Sequence, residues 1–385
     1  MPPRLLRLTG RGTAVADALL AGFPVTDAAD ATVARRLVQA GLAHSLADGA
    51  AAGSITALVP VHARIDALAR CLATLDVPAV VVADGSPDLE SIRRICAEYG
   101  ARLVLRAVRG GPAAARNSGL DAIETELVAF VDSDVIVPPG ALARLAAHFH
   151  DPHIVAAAPR VRPARAEPRR RAVVLARYLA DRSPLDLGDQ PARVRPGGAV
   201  GYLPTACLLV RREAVGSFDD RLRYGEDVDL VWRLTDAGGD VRYDPSIVVR
   251  HAEPSRWGQA LWRRLRYGSS AGPLARRHPG RLASYRATPL PALGALAAVT
   301  ASLPIAASAG IVTVAATAYR LRQVGLPPRA SLGFAGRAVQ QAATGLGHYA
   351  TGVGLPFALA ALALPGHRGR RAGRLAALAV IAALQ

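Results

Sequence analysis

Asp132 and Asp134 stand one residue apart at the end of an apolar run, within residues 126–139, ELVAFVDSDVIVPP. The run Leu127–Val131 has strand composition, and alternation along a strand puts both carboxylates on one side. Pro138, Pro139 and Gly140 then suit the first turn of a helix. In an open α/β sheet, ligands bind beyond the carboxyl ends of strands, so this acid pair would face a crevice. Two carboxylates there can hold a divalent cation, and a cation can hold a diphosphate. A lone pair of this kind can equally be polar turn residues capping a helix, so the rest of the chain decides.

A second acidic group lies in residues 223–239, RYGEDVDLVWRLTDAGG. Glu226 or Asp227 would begin a helix, with Leu230 and Leu234 facing inward and Gly238 ending it. Acids near a helix N-terminus are favoured by the macrodipole, so Glu226, Asp227 and Asp229 have a structural explanation beside a catalytic one. Residues 241–251, VRYDPSIVVRH, form a further strand ending in His251.

The elements that must position these groups begin at Ser54. The run 55–61 (ITALVPV) is strand-like, and Ile65, Leu68, Leu72 and Leu75 then recur at helical spacing. Strands follow over 79–83 and 102–108, helices over 89–99 and 112–123, and a fourth strand over 127–132. This alternation predicts parallel strands with helices on both faces. There is no GxGxxG and no P-loop, so neither dinucleotide nor ATPase chemistry is signalled. Residues 160–197 are rich in Arg and Pro around one helix, 171–179, and read as a solvated loop or as a lid carrying arginines to the site. Tyr202 to Arg212 is a strand-like apolar run. Residues 1–53 form a small separate module with helices over 14–22 and 31–41, the second ending like a helix of a winged-helix module. No charged recognition helix accompanies it, so the module does not point to DNA.

The 385-residue chain carries 47 Lys+Arg against 30 Asp+Glu, a net charge of +17, and all the basic residues are arginine. Arginine's planar fork suits phosphate. Nucleic acid, anionic lipid or a small anionic substrate would all fit such a charge, but no nucleic-acid motif is present. Cys71, Cys96 and Cys207 are few, separated and in apolar contexts, which predicts free buried thiols in a reducing compartment. The N-terminus lacks the apolar stretch of a signal peptide.

Taken in order, the strand ITALVPV, ADGS, GGPAAARNSG, VDSDV, GEDVDLVWR and His251 resemble the family 2, GT-A-fold glycosyltransferases across residues 54–267. RLVQAGLAH, SPLDLG, RVRPGG and YGSSAGPLARRHPG resemble more specifically the glycosyltransferases of the mycofactocin system. The fold implied is α/β: a mostly parallel sheet flanked by helices in a nucleotide-diphospho-sugar transferase domain, 54–286, between the helical module 1–53 and an apolar helical tail, 287–385. The activity implied is an inverting, metal-dependent transfer of a sugar, glucose from UDP-glucose, onto the peptide-derived redox cofactor mycofactocin to build a short β-1,4-linked oligosaccharide.

Carried onto this chain, the resemblance makes Asp227 the general base and Glu226 its orienting partner or acceptor ligand. Asp84, Arg116, Asn117 and Asp132 would meet the donor. Arg263, Arg264 and Arg266 would neutralise its leaving diphosphate. Asp134, with Asp132 and His251, would hold Mg²⁺ or Mn²⁺. Two departures stand out. Ala83 replaces the first of two acids usual before Gly-Ser, and Arg109-Gly110-Gly111 stands where an asparagine often precedes the ARN segment. Two alternatives remain open: a transferase building cell-wall or lipid-linked glycan, and a non-catalytic module that binds a nucleotide sugar or a partner. Ala83 alone favours the second.

Residues 288–319 and 338–366 carry no charged side chain and are long enough to span a bilayer, but they are alanine-rich and flanked by arginines. They predict membrane contact or buried helices, with the catalytic domain in the cytoplasm or on the cytoplasmic face of the membrane, where nucleotide sugars are.

Overall fold

The computed structural model describes residues 6, 8–44, 53–164, 173–282 and 303–351, apart from the side chains of 303–307, 309 and 342–351. The chain divides into two units, Leu8–Leu282 and one composed of Met1–Arg7 with Ala283–Gln385.

The first unit opens with α1 (Gly10–Leu20) and α2 (Ala28–Ala40). Thr9 caps α1 by accepting from the Gly12 amide, Asp27 caps α2 by accepting from Asp30, and Gly41 ends α2 in the left-handed region. The described residues before Ile55 contain no strand, so the winged-helix likeness extends only to helices.

The alternation predicted from Ser54 onward is present. In order come β1 (Ile55–Val61), α3 (Ile65–Leu72), β2 (Ala79–Asp84), α4 (Leu89–Glu98), β3 (Arg102–Arg106), α5 (Pro112–Leu120) and β4 (Leu127–Val131). These four strands are parallel, in the order β3-β2-β1-β4. They are nearly continuous apolar runs because both faces are covered. Ala57, Val59, Val81, Leu127 and Ala129 join a core with Leu68, Leu72 and Ile92, residues of α3 and α4. Their neighbours Leu58, Val80, Val82, Val128 and Phe130 join a second core with Ala113, Ala115 and Leu120 of α5. The α5 contact is close: a Cβ on Gly119 would lie 2.8 Å from Leu58 and Val82 side-chain carbons.

After β4 the sheet departs from a parallel pattern. The elements are β5 (Val135–Ile136), α6 (Ala141–Ala146), a single 3₁₀ turn, β6 (Ile154–Pro163), α7 (Val173–Arg182), β7 (Ala192–Arg193), β8 (Cys207–Arg211), the short α8 (Arg212–Val215), α9 (Glu226–Asp236) and β9 (Asp240–His251). β8 inserts antiparallel between β4 and β6, β6 pairs parallel with β9, and β5 and β7 pair antiparallel with β9. β8 is shorter than the predicted run from Tyr202; Pro204, which has no amide hydrogen, lies in the part outside it. α10 (Trp257–Ser269) and α11 (Ala271–Arg277) complete the first unit. α7 and α10 share a small core of Leu175, Leu179 and Ala260.

Cys71, Cys96 and Cys207 are free and buried. In the second unit α12 (Leu303–Gln323) and α13 (Pro328–Thr351) pack on one another. No helix among the described residues is long and apolar enough to cross a membrane. Residues 288–302 of the first predicted stretch and 352–366 of the second lie outside the described residues.

Candidate active site

Strand order reverses between β1 and β4: β2 and β3 lie to one side of β1, and the chain returns through α5 to place β4 on the other. Such a switch point opens a crevice at the carboxyl ends of the strands. A cavity of about 410 Å³ lies there, lined by residues 60–64 at and beyond the end of β1, Asp84 at the end of β2 and Asp132, Ser133 and Asp134 after β4.

The acid pair sits on a tight turn. Asp132 N–H donates to Ala206 and Val135 N–H returns to the Asp132 carbonyl, so the chain reverses into β5. Val135 pairs with His251, and this pairing brings the histidine to the acids. One donor atom each from Asp132, Asp134 and His251 lies within 4.8 Å of the others. His251 Nε2 is 3.3 Å from Asp134 Oδ1, and the Arg64 guanidinium contacts the other oxygen of Asp134. Two carboxylates and an imidazole suit a hard divalent ion such as Mg²⁺ or Mn²⁺. Burial pushes Asp134 up, but the hydrogen bond and charge of His251, with Arg64 and Arg263, outweigh it and hold Asp134 below the usual carboxylate range. Asp132 is shifted upward by burial, against the pull of Arg116.

Arg116 is the buried hub of the site. Its guanidinium donates to Glu226 Oε1 at 2.8 Å and to Asp132 Oδ1 at 3.0 Å, and lies over the Phe218 ring. It therefore ties the cation site after β4 to the start of α9. Glu226 is committed to this bond, whereas the neighbouring Asp227 faces a second cavity of about 450 Å³. Gly225 makes the entry to α9 possible: its φ is +85°, and a Cβ there would lie 2.8 Å from the Ser270 Cβ. Burial and the adjacent Glu226 charge push the Asp227 carboxyl up to about 7. A carboxylate that titrates there can take a proton at neutral pH. Tyr202, pushed up to about 12 by burial, also lines this cavity and stays protonated as a donor. Trp232, Leu185, Leu274 and Tyr267 give the cavity an apolar wall. The two cavities share Pro112 and Asp132, so the base candidate and the cation site open on adjoining spaces.

The remaining predicted residues divide. Asp84 lines the first cavity, but its oxygens already accept from the Gly110 and Gly111 amides and from Arg106, so it shapes the 109–111 loop. Asn117 spends both ends of its amide on the Phe218 backbone, at 2.8 and 2.9 Å. Arg263 and Arg266 line a third cavity of about 540 Å³ together with Arg64. Arg264 instead donates to the Arg182 carbonyl and stacks on Tyr178, toward α7. Sequence reasoning gave no role to Arg64, Tyr202, Trp232 and Tyr267; Trp232 and Tyr267 lie inside the segments GEDVDLVWR and YGSSAGPLARRHPG, whereas Arg64 and Tyr202 belong to no motif.

Asp229, the third acid of the segment, is structural. Its buried carboxylate accepts from Arg233 at 2.9 Å, from His278 at 2.8 Å and from Arg277, clamping α9 to α11. Burial raises it, but the bonds from His278 and Arg233 and the charges of Arg233 and Arg277 prevail and lower its pKa. Its stabilisation is therefore complete above the unfolded value near ~3.9 and fades as pH falls through the lower folded value. Asp229→Ala is expected to cost about 3–5 kcal/mol at neutral pH. Urea denaturation at pH 7 and pH 3 checks this, with the parent and variant curves converging in acid.

Residues 56–217 match the family described as glycosyl transferase family 2. Residues 56–217 thus carry a family 2 glycosyl transferase domain, and the sheet built around them has the α/β nucleotide-sugar transferase fold. More particularly, the chain is 38% identical over 297 residues to the pre-mycofactocin glycosyltransferase of Mycobacterium tuberculosis, covering 73% of this chain and 60% of the relative, as strains CDC 1551 and H37Rv both carry it. The chain thus spans about three-fifths of the length of these relatives. A shorter likeness, 42% over 83 residues, covers 20% of this chain and 27% of an N-acetylglucosaminyl-diphospho-decaprenol L-rhamnosyltransferase of the same organism. A solved mannosyltransferase from Pyrobaculum calidifontis, in complex with GDP-mannose and Mn²⁺, is 20% identical with a TM-score of 0.42, covering 85% of this chain and 97% of that one. At that score the fold assignment rests on the family match and the strand order.

Proposed function

We propose that this chain is an inverting, metal-dependent hexosyltransferase that adds sugar to a small peptide-derived acceptor of the mycofactocin type. The observation that carries this is the pairing of the adjoining cavities, one lined by Asp132 and Asp134 of the cation triad and the other by the Asp227 base. A nucleotide diphosphate fits the 410 Å³ cavity, where Arg109 and Arg64 face it, with its phosphates toward Asp132, Asp134 and His251. Mg²⁺ or Mn²⁺, when bound there, supplies Lewis-acid stabilisation of the leaving diphosphate. The acceptor lies against the apolar wall of the second cavity, and Asp227 takes its hydroxyl proton as that oxygen attacks the anomeric carbon and the bond to phosphate breaks. Arg116 holds Glu226 and Asp132 in place, whereas Asp227 accepts only the Val228 amide on Oδ1 and faces the acceptor side. A single base opposite the leaving group performs an in-line displacement with inversion, without the second nucleophilic carboxylate of a retaining hydrolase.

UDP-glucose, the donor that the family resemblance implies, is the first candidate, built into short chains. Purified protein is tested against a panel of nucleotide sugars with Mn²⁺ and the peptide-derived acceptor. UDP release coupled to glucosylation of that acceptor is expected; transfer only to a polyprenyl-linked acceptor would move the assignment to lipid-linked glycan, the chemistry named for the rhamnosyltransferase relative. Nucleotide binding without turnover of any donor would leave a binding module.

Contact with an anionic membrane surface is also proposed. Trp257, Leu261 and Leu265 recur every four residues on α10 and are exposed, with Trp262 and the Arg264 and Arg266 guanidinium groups beside them. Repeating the assay over phosphatidylglycerol vesicles checks it: the protein should sediment with them at low salt and release at high salt. No sedimentation would remove the contact while leaving the transfer chemistry intact.

A further inference from the structure

We propose that Glu253 is a positioning residue that fixes the ring of His251 and so sets the affinity of the cation site. The inference rests on the reading of Asp132, Asp134 and His251 as ligands of a divalent ion. Nε2 of His251 faces the two acids, 3.3 Å from Asp134 Oδ1. To bind a cation through Nε2, the neutral ring must carry its proton on Nδ1. A ligating histidine is held in that tautomer by an acceptor behind it. Nδ1 of His251 is buried and makes no hydrogen bond. Oε1 of Glu253 lies 3.8 Å from it. A movement of about 1 Å brings that oxygen into hydrogen-bond range.

Glu253 is itself anchored from two sides. Ser183, in the segment that follows α7, donates to Oε1 at 2.8 Å, and Arg263 of α10 donates to Oε2 at 2.8 Å. Two donors keep the carboxylate in place behind the ring. They also link the cation site to the neighbouring cavities, because Arg263 lines the 540 Å³ space and Pro184 and Leu185, just after Ser183, line the one facing Asp227. Glu253 thus ties three parts of the chain at the back of His251.

The test measures Mn²⁺ affinity directly, by electron paramagnetic resonance titration of the protein in the absence of any donor or acceptor. Glu253→Ala is expected to weaken Mn²⁺ binding about 10–100-fold. Glu253→Gln keeps an acceptor oxygen of the same reach and should recover part of that loss. Thermal unfolding in chelator shows that each variant is folded, and Glu253→Gln preserves the test if the alanine variant is not. Unchanged Mn²⁺ affinity in both folded variants, with transfer impaired, would overturn the proposal and move Glu253 to substrate contact. A loss as complete as that of Asp134→Ala in both would also overturn it, making Glu253 a ligand. If Asp134→Ala and His251→Ala leave Mn²⁺ affinity untouched, the cation site itself fails, a result distinct from a failure at Glu253 alone.

Discussion

Asp227→Asn is expected to lower the rate of transfer about 10²–10⁴-fold, the usual contribution of a positioned base. The substitution conserves shape and leaves Arg116, Glu226 and Asp132 bonded as before, so donor binding by calorimetry should hardly change. The pH profile carries the sharper signature. Because the Asp227 carboxyl titrates at about 7, the parent enzyme should be active above that pH and lose activity as the pH falls through it. The variant's residual rate should lack this limb. Stability should move the opposite way. A carboxyl whose folded pKa is raised costs stability once it ionises, so removing its charge should raise the melting temperature at pH 8 and not at pH 4. A variant that kept a tenth of the activity, or the acid limb, would exclude Asp227 as the base.

The central features of this site were legible because they obey short-range rules. The DxD pair follows an apolar strand, and alternation plus the rule that ligands gather at strand ends puts Asp132 and Asp134 in the crevice. By local pattern His251 was legible only as the last residue of a strand, and the family resemblance alone suggested it as a ligand; its approach to Asp134 depends on the β5–β9 pairing, a long-range contact no local pattern encodes. Strand direction was hidden for the same reason. The run ending at Arg211 has the composition of any buried strand, and nothing local says that it enters antiparallel between β4 and β6.

The motif-borne residues were harder to sort. Arg116 and Asn117 are adjacent in one motif, yet one bridges two carboxylates and the other pins a backbone amide and carbonyl. Glu226, Asp227 and Asp229 all satisfy the helix dipole, and only their surroundings separate an acid bridged to Arg116, a carboxylate facing the second cavity and a clamp between helices. Ala83, the departure that favoured a decayed site, is a buried residue of β2 beside an Asp84 that still organises its loop. Arg64, Tyr202 and Tyr267 come from connecting segments and helix ends, where position depends on the whole fold.

Asp134→Ala should be at least as damaging as loss of the base, but by a different route. Lewis-acid stabilisation of a leaving diphosphate supplies several kcal/mol, which at about 1.4 kcal/mol per tenfold corresponds to a loss of about 10²–10⁴ in rate. Chelator should reproduce the loss in the parent enzyme, and Mn²⁺ should restore it there but not in the variant. Donor binding separates the two substitutions. Asp134 sits where the phosphates must lie, so its alanine variant should lose the Mn²⁺-dependent component of UDP binding, whereas Asp227→Asn should keep it. The variant also frees Arg64, whose guanidinium contacts Asp134, to offer its charge to a diphosphate directly. Residual metal-independent UDP binding in Asp134→Ala should therefore fall again in the double variant Asp134→Ala/Arg64→Ala. Full activity of the parent in chelator would contradict the assignment, since it would leave the clustered acids and His251 with no part in the chemistry.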